Sequence, residues 1–161
     1  MERRAKTWPG VVACLLGLSF TGFNLYWALG HNWLVDTVFP TASLDEVGAI
    51  LPPAVQWAAI VLKTGAALLG LATVPAVARV LPGWALAVAR GLGWTAAAVI
   101  AAWGLTQTVW FALAKAGALE LPGGEWTSRS INGHVFLWDP WFLVWGAVLG
   151  YALIASRRPR R

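Results

Sequence analysis

The apolar positions of this chain form four long hydrophobic runs separated by polar connections. Each run has about 20 residues, the length that an α-helix needs to cross a hydrocarbon core of about 30 Å. Only helices and closed barrels satisfy their backbone hydrogen bonds inside a bilayer, and these runs are about twice as long as barrel strands. The pattern predicts one all-α domain, residues 1–161, an integral membrane four-helix bundle with helices at approximately 8–30, 53–78, 91–116 and 135–155.

Two segments bear on the helix count. The first run follows a basic start, as a signal peptide does, but it exceeds the roughly 7–15 residues of a signal-peptide core and ends in the aromatic pair Tyr26-Trp27. We therefore interpret it as a retained helix. The apolar segment from Val80 to Arg90 is interpreted as an interfacial turn that leads into the third helix. Counting it as a separate helix gives the alternative of five.

The two long connections, residues 31–52 and 117–134, carry their own local signals. Ser43-Leu44-Asp45-Glu46 has the pattern of a capping box and predicts a short interfacial helix in the first connection. Pro122-Gly123-Gly124 and Asn132-Gly133 are turn signals in the second.

The basic residues predict the orientation. In a four-helix layout nine Lys and Arg residues fall on one side: Arg3, Arg4, Lys6, Arg79, Arg90, Arg157, Arg158, Arg160 and Arg161. Short connections rich in Lys and Arg stay in the cytoplasm, so both termini are predicted to be cytoplasmic and both long connections to be outside. A fifth helix would place one of the two basic tails outside, so the charge pattern favours four.

Composition supports a membrane location. The chain is 58% hydrophobic and only 12% charged, and it has 12 tryptophans, a residue that favours membrane interfaces. The net charge of +5 comes from residues that flank apolar runs, which argues against nucleic-acid binding. The chain is rich in Ala and Arg and poor in Lys, as GC-rich bacterial genomes encode, so we predict the bacterial cytoplasmic (inner) membrane. Cys14 is the single cysteine, which excludes a CxxC thiol oxidoreductase.

Polar side chains inside the apolar runs are the candidates for a functional site, because each is costly in lipid and should face protein or water. Lys63 lies roughly 15 Å into the second run at 1.5 Å per residue. It shares a helical face with Gln56 and with small residues, which mark helix contacts in membranes.

Three more polar residues follow the same rule. Gln107, Asn24 and Asp139 each lie on the small-residue face of their run and in its predicted outer half. We therefore predict one outward-facing polar pocket of Lys63, Gln107, Asn24, Asp139 and Gln56, with Asp139 as the counter-charge of Lys63. The alternative is a hydrogen-bond network that only holds the bundle together. A further alternative makes Asp139 the N-cap of a helix that begins at Pro140.

The two histidines, His31 and His134, border the first and fourth runs and are candidate haem or metal ligands. Neither has another metal ligand at helical spacing, so no cofactor is predicted, and haem or quinone stays an alternative. Three tryptophans, Trp138, Trp141 and Trp145, form a stripe with His134 that is predicted to face away from Asp139 as a lipid-facing belt and packing surface.

No catalytic motif occurs in the sequence: nucleophile elbow, P-loop, zinc-protease and dinucleotide patterns are all lacking. Three functions stay open. The first is a non-enzymatic module that binds a small amphiphile or a partner membrane helix in the lipid bilayer. The second is a haem- or quinone-linked redox protein, and the third is a small oligomeric transporter. A monomer and an oligomer are both compatible with the sequence.

Two motifs resemble those of an uncharacterised bacterial family of small four-helix membrane proteins, a domain of unknown function. Asn24-Leu25-Tyr26-Trp27-Ala28-Leu29-Gly30 looks like the YWALG signature of the family, and His134 to Gly146 resembles its WDPWF motif in the fourth helix. The resemblance implies the four-helix layout over most of the chain. It assigns no activity, because the function of the family is unknown. A histidine often stands in the family where this chain has Asn24, so a role of that histidine as ligand or proton carrier is weakened here.

Overall fold

The computed structural model describes residues 7–40, 52–122 and 126–157, and the regular secondary structure in these ranges is helical throughout. Four stretches are long and apolar enough to cross a membrane: Trp8–Ala28, Pro53–Thr73, Gly83–Lys115 and Ser128–Ala155. The predicted all-α fold with four apolar helices of spanning length is confirmed. The capping-box pattern at residues 43–46 and the turn signal at residues 123–124 lie outside the described residues.

The first span is helix α1, Trp8–Ala28. It ends just before the predicted boundary at residue 30, because Gly30 has a φ of +92°, which glycine adopts readily at the end of a helix. The chain then makes a single 3-10 turn, Val35–Thr37. Val35 and Thr37 are buried, so this part of the connection packs against the bundle.

The second span is helix α2, Pro53–Leu69, extended by a 3-10 turn at Gly70–Thr73. The predicted continuation to residue 78 is wrong. Pro75 forces the residue before it out of the helical conformation, and Val74 accordingly has φ −77° and ψ 125°. A separate short helix, α3, Pro75–Val80, begins at this proline.

The third span is helix α4, Gly83–Lys115, with 33 residues. The predicted start at residue 91 and the predicted turn over residues 80–90 are wrong. The turn is confined to Leu81 and Pro82, whose ψ angles are 135° and 149°, and the helix runs through Arg90 without a break. The segment that could have been a fifth helix is the first part of α4. At 1.5 Å per residue α4 is roughly 50 Å long, more than a hydrocarbon core requires.

The fourth span has three consecutive parts: helix α5, Ser128–Gly133, a π turn, His134–Trp138, and helix α6, Asp139–Ala155. The predicted start at residue 135 is wrong, and the predicted turn at Asn132-Gly133 lies inside α5. The true start is marked by Thr127, whose Oγ1 accepts the backbone N–H of Ser130 at 3.1 Å.

Asp139 is not the cap of a helix that begins at Pro140. Its φ of −78° and ψ of −40° are helical, the chain before it is already helical, and it is only 3% exposed. Pro140 cannot donate to a carbonyl one turn back, and its ring would crowd that carbonyl in a regular α-helix. The wider π turn directly before this proline accommodates it.

Small residues set the packing of the bundle. Helix α1 lies between α2 and α6, and α4 packs along α6. A Cβ atom added to Gly146 of α6 would lie 2.8 Å from the Cβ of Ala101 on α4, and one added to Gly17 of α1 would lie 2.6 Å from the Cβ of Ala67 on α2. Helices α2 and α4 touch each other sparsely, so the bundle has one open side.

The two ends of the bundle differ. The rings of Trp8 and Tyr151 have centroids 6.0 Å apart, so the start of α1 and the end of α6 lie at the same end. The connection that contains the 3-10 turn Val35–Thr37 follows α1 and therefore lies at the opposite end. It packs there against α5.

Candidate functional site

A cavity of about 550 Å³ lies on the open side of the bundle, between α2 and α4. We call it the α2–α4 cavity. It has an apolar and aromatic lining with a few polar side chains. The structure brings all five residues of the predicted pocket to its wall, together with one histidine: Asn24, Gln56, Lys63, Gln107, Asp139 and His134.

The walls of the cavity differ in exposure. Leu62 of α2 and Trp103 of α4, which form its rim, are 76% and 56% exposed. Trp138 and Trp145, which form its floor on the fourth span, are each 1% exposed. The cavity is therefore a lateral cleft that opens on the side of the bundle, between α2 and α4.

Lys63 points into the cavity and binds helix α1. Its Nζ donates to Oδ1 of Asn24 at 2.9 Å. Nδ2 of Asn24 donates in turn to the carbonyl of Phe20 at 3.0 Å, which fixes the orientation of the amide. The ammonium also lies 4.8 Å from the ring centre of Phe20 and 5.6 Å from that of Phe142, within the range of cation–π attraction.

Asp139 pairs with a partner other than the predicted one. Its Oδ2 lies 2.9 Å from Nδ1 of His134, and the two side chains are only 4% and 12% exposed. Among the described residues no salt bridge joins Asp139 to Lys63. The prediction that Asp139 is the counter-charge of Lys63 is therefore wrong, and both residues nevertheless line the same cavity.

The ring of His134 makes two further contacts. Its Nε2 lies 2.8 Å from the carbonyl oxygen of Val38, and its ring stacks on Phe111 of α4 with centroids 3.9 Å apart and an interplanar angle of 3°. A carbonyl oxygen only accepts, so Nε2 carries a hydrogen. The contact between Nδ1 and the carboxylate needs one further proton between them, so the His134–Asp139 pair has a net charge of zero wherever that proton lies.

The π turn explains why the sequence pattern missed this pair. Residues five apart in a regular α-helix point roughly 140° away from each other. The wider π turn brings His134 and Asp139 to one side. The predicted stripe of His134 and three tryptophans facing away from Asp139 is therefore wrong.

The tryptophans of that stripe pack inside the protein. Nε1 of Trp138 donates to Oγ1 of Thr37 at 2.9 Å, and Nε1 of Trp141 donates to the carbonyl of Leu16 at 3.1 Å. The Nε1–H of Trp145, which is buried on the cavity floor, has no hydrogen-bond partner in the described part of the chain.

The histidines that could ligate haem or a metal have different surroundings. Both ring nitrogens of His134 have protein partners. His31 is exposed and stacks on Tyr26 with ring centroids 4.5 Å apart. Of the two, only His134 lines the α2–α4 cavity, and within the described ranges no cluster of three or more His, Cys, Asp or Glu residues could hold a metal ion.

A smaller cavity of about 390 Å³ adjoins the first. The two share four lining residues: Val38, Phe39, Gln107 and His134. The first connection thus forms part of the wall between them. Sequence reasoning missed this contribution, because hydropathy alone does not reveal which connection folds back over a bundle.

Comparisons of the chain with family models, with curated proteins and with solved structures found no match.

Proposed function

We propose that this chain is a multi-pass protein of the bacterial cytoplasmic membrane that binds a small amphiphilic molecule in the α2–α4 cavity. The observation that carries the proposal is the combination of a 550 Å³ apolar cavity, an exposed rim and a few polar side chains in the wall. Sites for small molecules typically have about 300–1,000 Å³, apolar walls and a few placed polar groups. An amphiphile fits because its tail replaces lipid contacts while its headgroup meets the polar side chains of the wall.

The position of the cavity suggests the leaflet from which the molecule comes. Val38 and Phe39 line the cavity, and they follow α1 at the end of the bundle opposite the termini. If the basic termini are cytoplasmic, as the distribution of Lys and Arg favours, the cavity belongs to the outer half of the membrane. The ligand is then a molecule of the outer leaflet that enters sideways between α2 and α4.

The cavity can be filled by one substitution on α2. Ala59 lines it, whereas the neighbouring Ala58 is exposed outside the lining. We expect Ala59→Phe to weaken binding at least tenfold by occupying the space of the tail, and the matched control Ala58→Phe to bind like the wild type. Binding is measured in phosphatidylcholine nanodiscs as saturable quenching of tryptophan fluorescence by bromoundecanol and bromoundecanoic acid. Bromine quenches tryptophan fluorescence on contact, and four residues that line the cavity are tryptophans: Trp27, Trp103, Trp138 and Trp145.

Two results would contradict the proposal. Quenching that does not saturate and is equal in the three proteins would show that the probes only reach tryptophans at the lipid surface. If light scattering showed a dimer of the wild type and a monomer of Ala59→Phe, a second copy of the chain would cover the cleft instead of a small molecule.

A further inference from the structure

We infer that the molecule bound in the α2–α4 cavity carries an anionic oxygen headgroup, a carboxylate or a phosphate, and that Lys63 binds it. The inference rests on the proposed function and names the class of ligand for that site. It follows from the charges of the cavity, from the hydrogen-bonding groups that are left over, and from the aromatic rings around the ammonium.

Among the described residues of the cavity, Lys63 has no counter-ion. Among the described residues that line it, Asp139 is the one carboxylate, and it forms a unit of net charge zero with His134. The hydrogen-bond partner of Lys63 is the neutral amide of Asn24. A cation inside a membrane span is costly and is normally paired with an opposite charge. A ligand that brings a negative charge supplies the missing half of this pair.

The ammonium of Lys63 has hydrogen-bond donors left over in the cavity. An ammonium has three N–H groups, and Lys63 uses one of them on Asn24, with no other acceptor for it among the described residues. Asn24 cannot turn its amide without losing the bond from Nδ2 to the carbonyl of Phe20. Carboxylate and phosphate oxygens are acceptors, so an anionic headgroup matches the remaining N–H groups of this ammonium and a cationic headgroup does not.

Two aromatic rings hold the ammonium in place without neutralising it. Phe20 and Phe142 lie against each other, with ring centroids 4.3 Å apart, and Nζ of Lys63 lies near both faces. Cation–π contacts orient the charge but leave its net value unchanged. The same rings continue the apolar wall, so a headgroup at Lys63 places its tail along the cavity toward the rim.

The test compares probes that share one tail and differ in the headgroup. Bromoundecanoic acid, bromoundecyl phosphate, bromoundecanol and bromoundecyl trimethylammonium are titrated into wild-type protein in phosphatidylcholine nanodiscs, with saturable tryptophan quenching as the readout. Both anionic probes should bind roughly ten- to a hundredfold more tightly than the alcohol, the range expected for a charge-assisted contact. The cationic probe should bind more weakly than the alcohol.

Substitutions locate the preference. Lys63→Met keeps the apolar stem and should remove the difference between acid and alcohol, while Lys115→Met, which removes an exposed lysine outside the cavity lining, should keep it. Asn24→Asp provides a second test that does not depend on losing Lys63. It supplies a carboxylate next to the ammonium, so it should weaken both anionic probes at least tenfold while leaving the alcohol bound and raising the melting temperature.

The outcomes separate this inference from the proposed function. Equal affinity of acid and alcohol in the wild type, or a preference that survives Lys63→Met, would overturn the anionic headgroup and leave the amphiphile site standing. Saturable quenching by none of the probes would overturn both. Inorganic phosphate is added as a competitor that has no tail. If phosphate displaced bromoundecanoic acid with an affinity equal to that of bromoundecyl phosphate, the tail would contribute nothing and the cavity would be an anion site rather than an amphiphile site.

Discussion

His134 connects three parts of the molecule through one side chain. It stacks on Phe111 of α4, pairs with Asp139 of α6 and binds the carbonyl of Val38 in the first connection. The first contact fixes the plane of the ring, and the other two satisfy both nitrogens. One consequence reaches the other side of the cavity: because Asp139 pairs with His134, Lys63 has no carboxylate partner among the described residues.

Double-mutant cycles can measure this division of charges. His134→Phe keeps an aromatic ring against Phe111 but leaves Asp139 buried without its partner, so it should lower the free energy of unfolding by about 3 kcal/mol. Adding Asp139→Ala should recover part of that loss, since no unpaired carboxylate remains. The readout is unfolding in mixed micelles of dodecyl maltoside and sodium dodecyl sulfate.

The matched cycle uses Lys63→Ala with Asp139→Ala. These two side chains line one cavity without forming a salt bridge to each other among the described contacts, so their effects should be closer to additive than those of His134 and Asp139. A larger coupling in the Lys63 cycle than in the His134 cycle would contradict the assignment of Asp139 to His134.

The residues of the pocket were predictable where ordinary helix geometry holds. Lys63 and Asn24 were placed on small-residue faces at 3.6 residues per turn, and the structure joins them by a hydrogen bond. The partner of Asp139 was not predictable in this way, because the π turn shifts His134 relative to everything after it. Local sequence carries one signal for such a turn, a proline inside a helical run, and Pro140 has that position.

At the scale of secondary-structure elements, side chains of the fourth span hold the first connection against the bundle. Nε1 of Trp138 donates to Thr37, His134 binds the carbonyl of Val38, and the guanidinium of Arg129 lies 2.8 Å from the carboxylate of Asp36. All three contacts come from α5 and the π turn. They hold Val38 and Phe39 in the wall of the α2–α4 cavity, so the early start of the fourth helix at Ser128 has a structural role.

Gly133 of α5 is the point of closest approach between these two elements. A Cβ atom there would overlap the carbonyl oxygen of Thr37, which is backbone and cannot rotate away. We expect Gly133→Ala to lower the free energy of unfolding by about 1–3 kcal/mol through overpacking. The control is Gly65→Ala on α2, where an added Cβ meets no atom within 4 Å and the loss of a helical glycine should stabilise slightly.

Both variants are measured by the same unfolding assay in mixed micelles. A Gly133→Ala protein as stable as Gly65→Ala would mean that the first connection moves aside at no cost. In that case the contacts of Trp138 and His134 would not hold the cavity wall, and its shape in solution would differ from the one described.

Helix boundaries show which element-scale features hydropathy can and cannot predict. The lengths of the apolar runs predicted four membrane-spanning helices, because crossing a bilayer requires about 20 apolar residues and few other structures contain apolar runs of that length. The boundaries at residues 78 and 91 failed for local reasons. Pro75 breaks the second run within its apolar stretch, and Gly91 does not interrupt α4, whose surface packing against α6 outweighs the intrinsic cost of a glycine.

At the scale of the whole molecule, the open side of the bundle has to be considered together with the distribution of charge. Helices α1 and α6 pack against each other, whereas α2 and α4 touch each other sparsely and border the open side. Among the described residues, the basic ones at the end that holds the termini are Arg79, Arg90 and Arg157. They lie beyond the cavity lining, whereas Lys63 lies within it. The orientation in the membrane therefore decides which leaflet the cavity meets.

That orientation can be tested by labelling single cysteines. The one native cysteine, Cys14, is buried in α1 and can be replaced by alanine to give a cysteine-free background. Asn32→Cys and Ala118→Cys place thiols at exposed positions after α1 and α4, and Val80→Cys places one at the end of α3, where the residue is 80% exposed.

In intact spheroplasts a membrane-impermeant maleimide should label the thiols at residues 32 and 118, and it should label residue 80 only after permeabilisation. The reason is the excess of Lys and Arg around the termini and the α3–α4 turn, because segments rich in Lys and Arg tend to stay in the cytoplasm during insertion. The inverted result, with residue 80 labelled in intact spheroplasts and residues 32 and 118 protected, would place the cavity in the cytoplasmic leaflet and leave the amphiphile site itself untouched. Equal labelling of all three in intact spheroplasts would contradict a four-span topology.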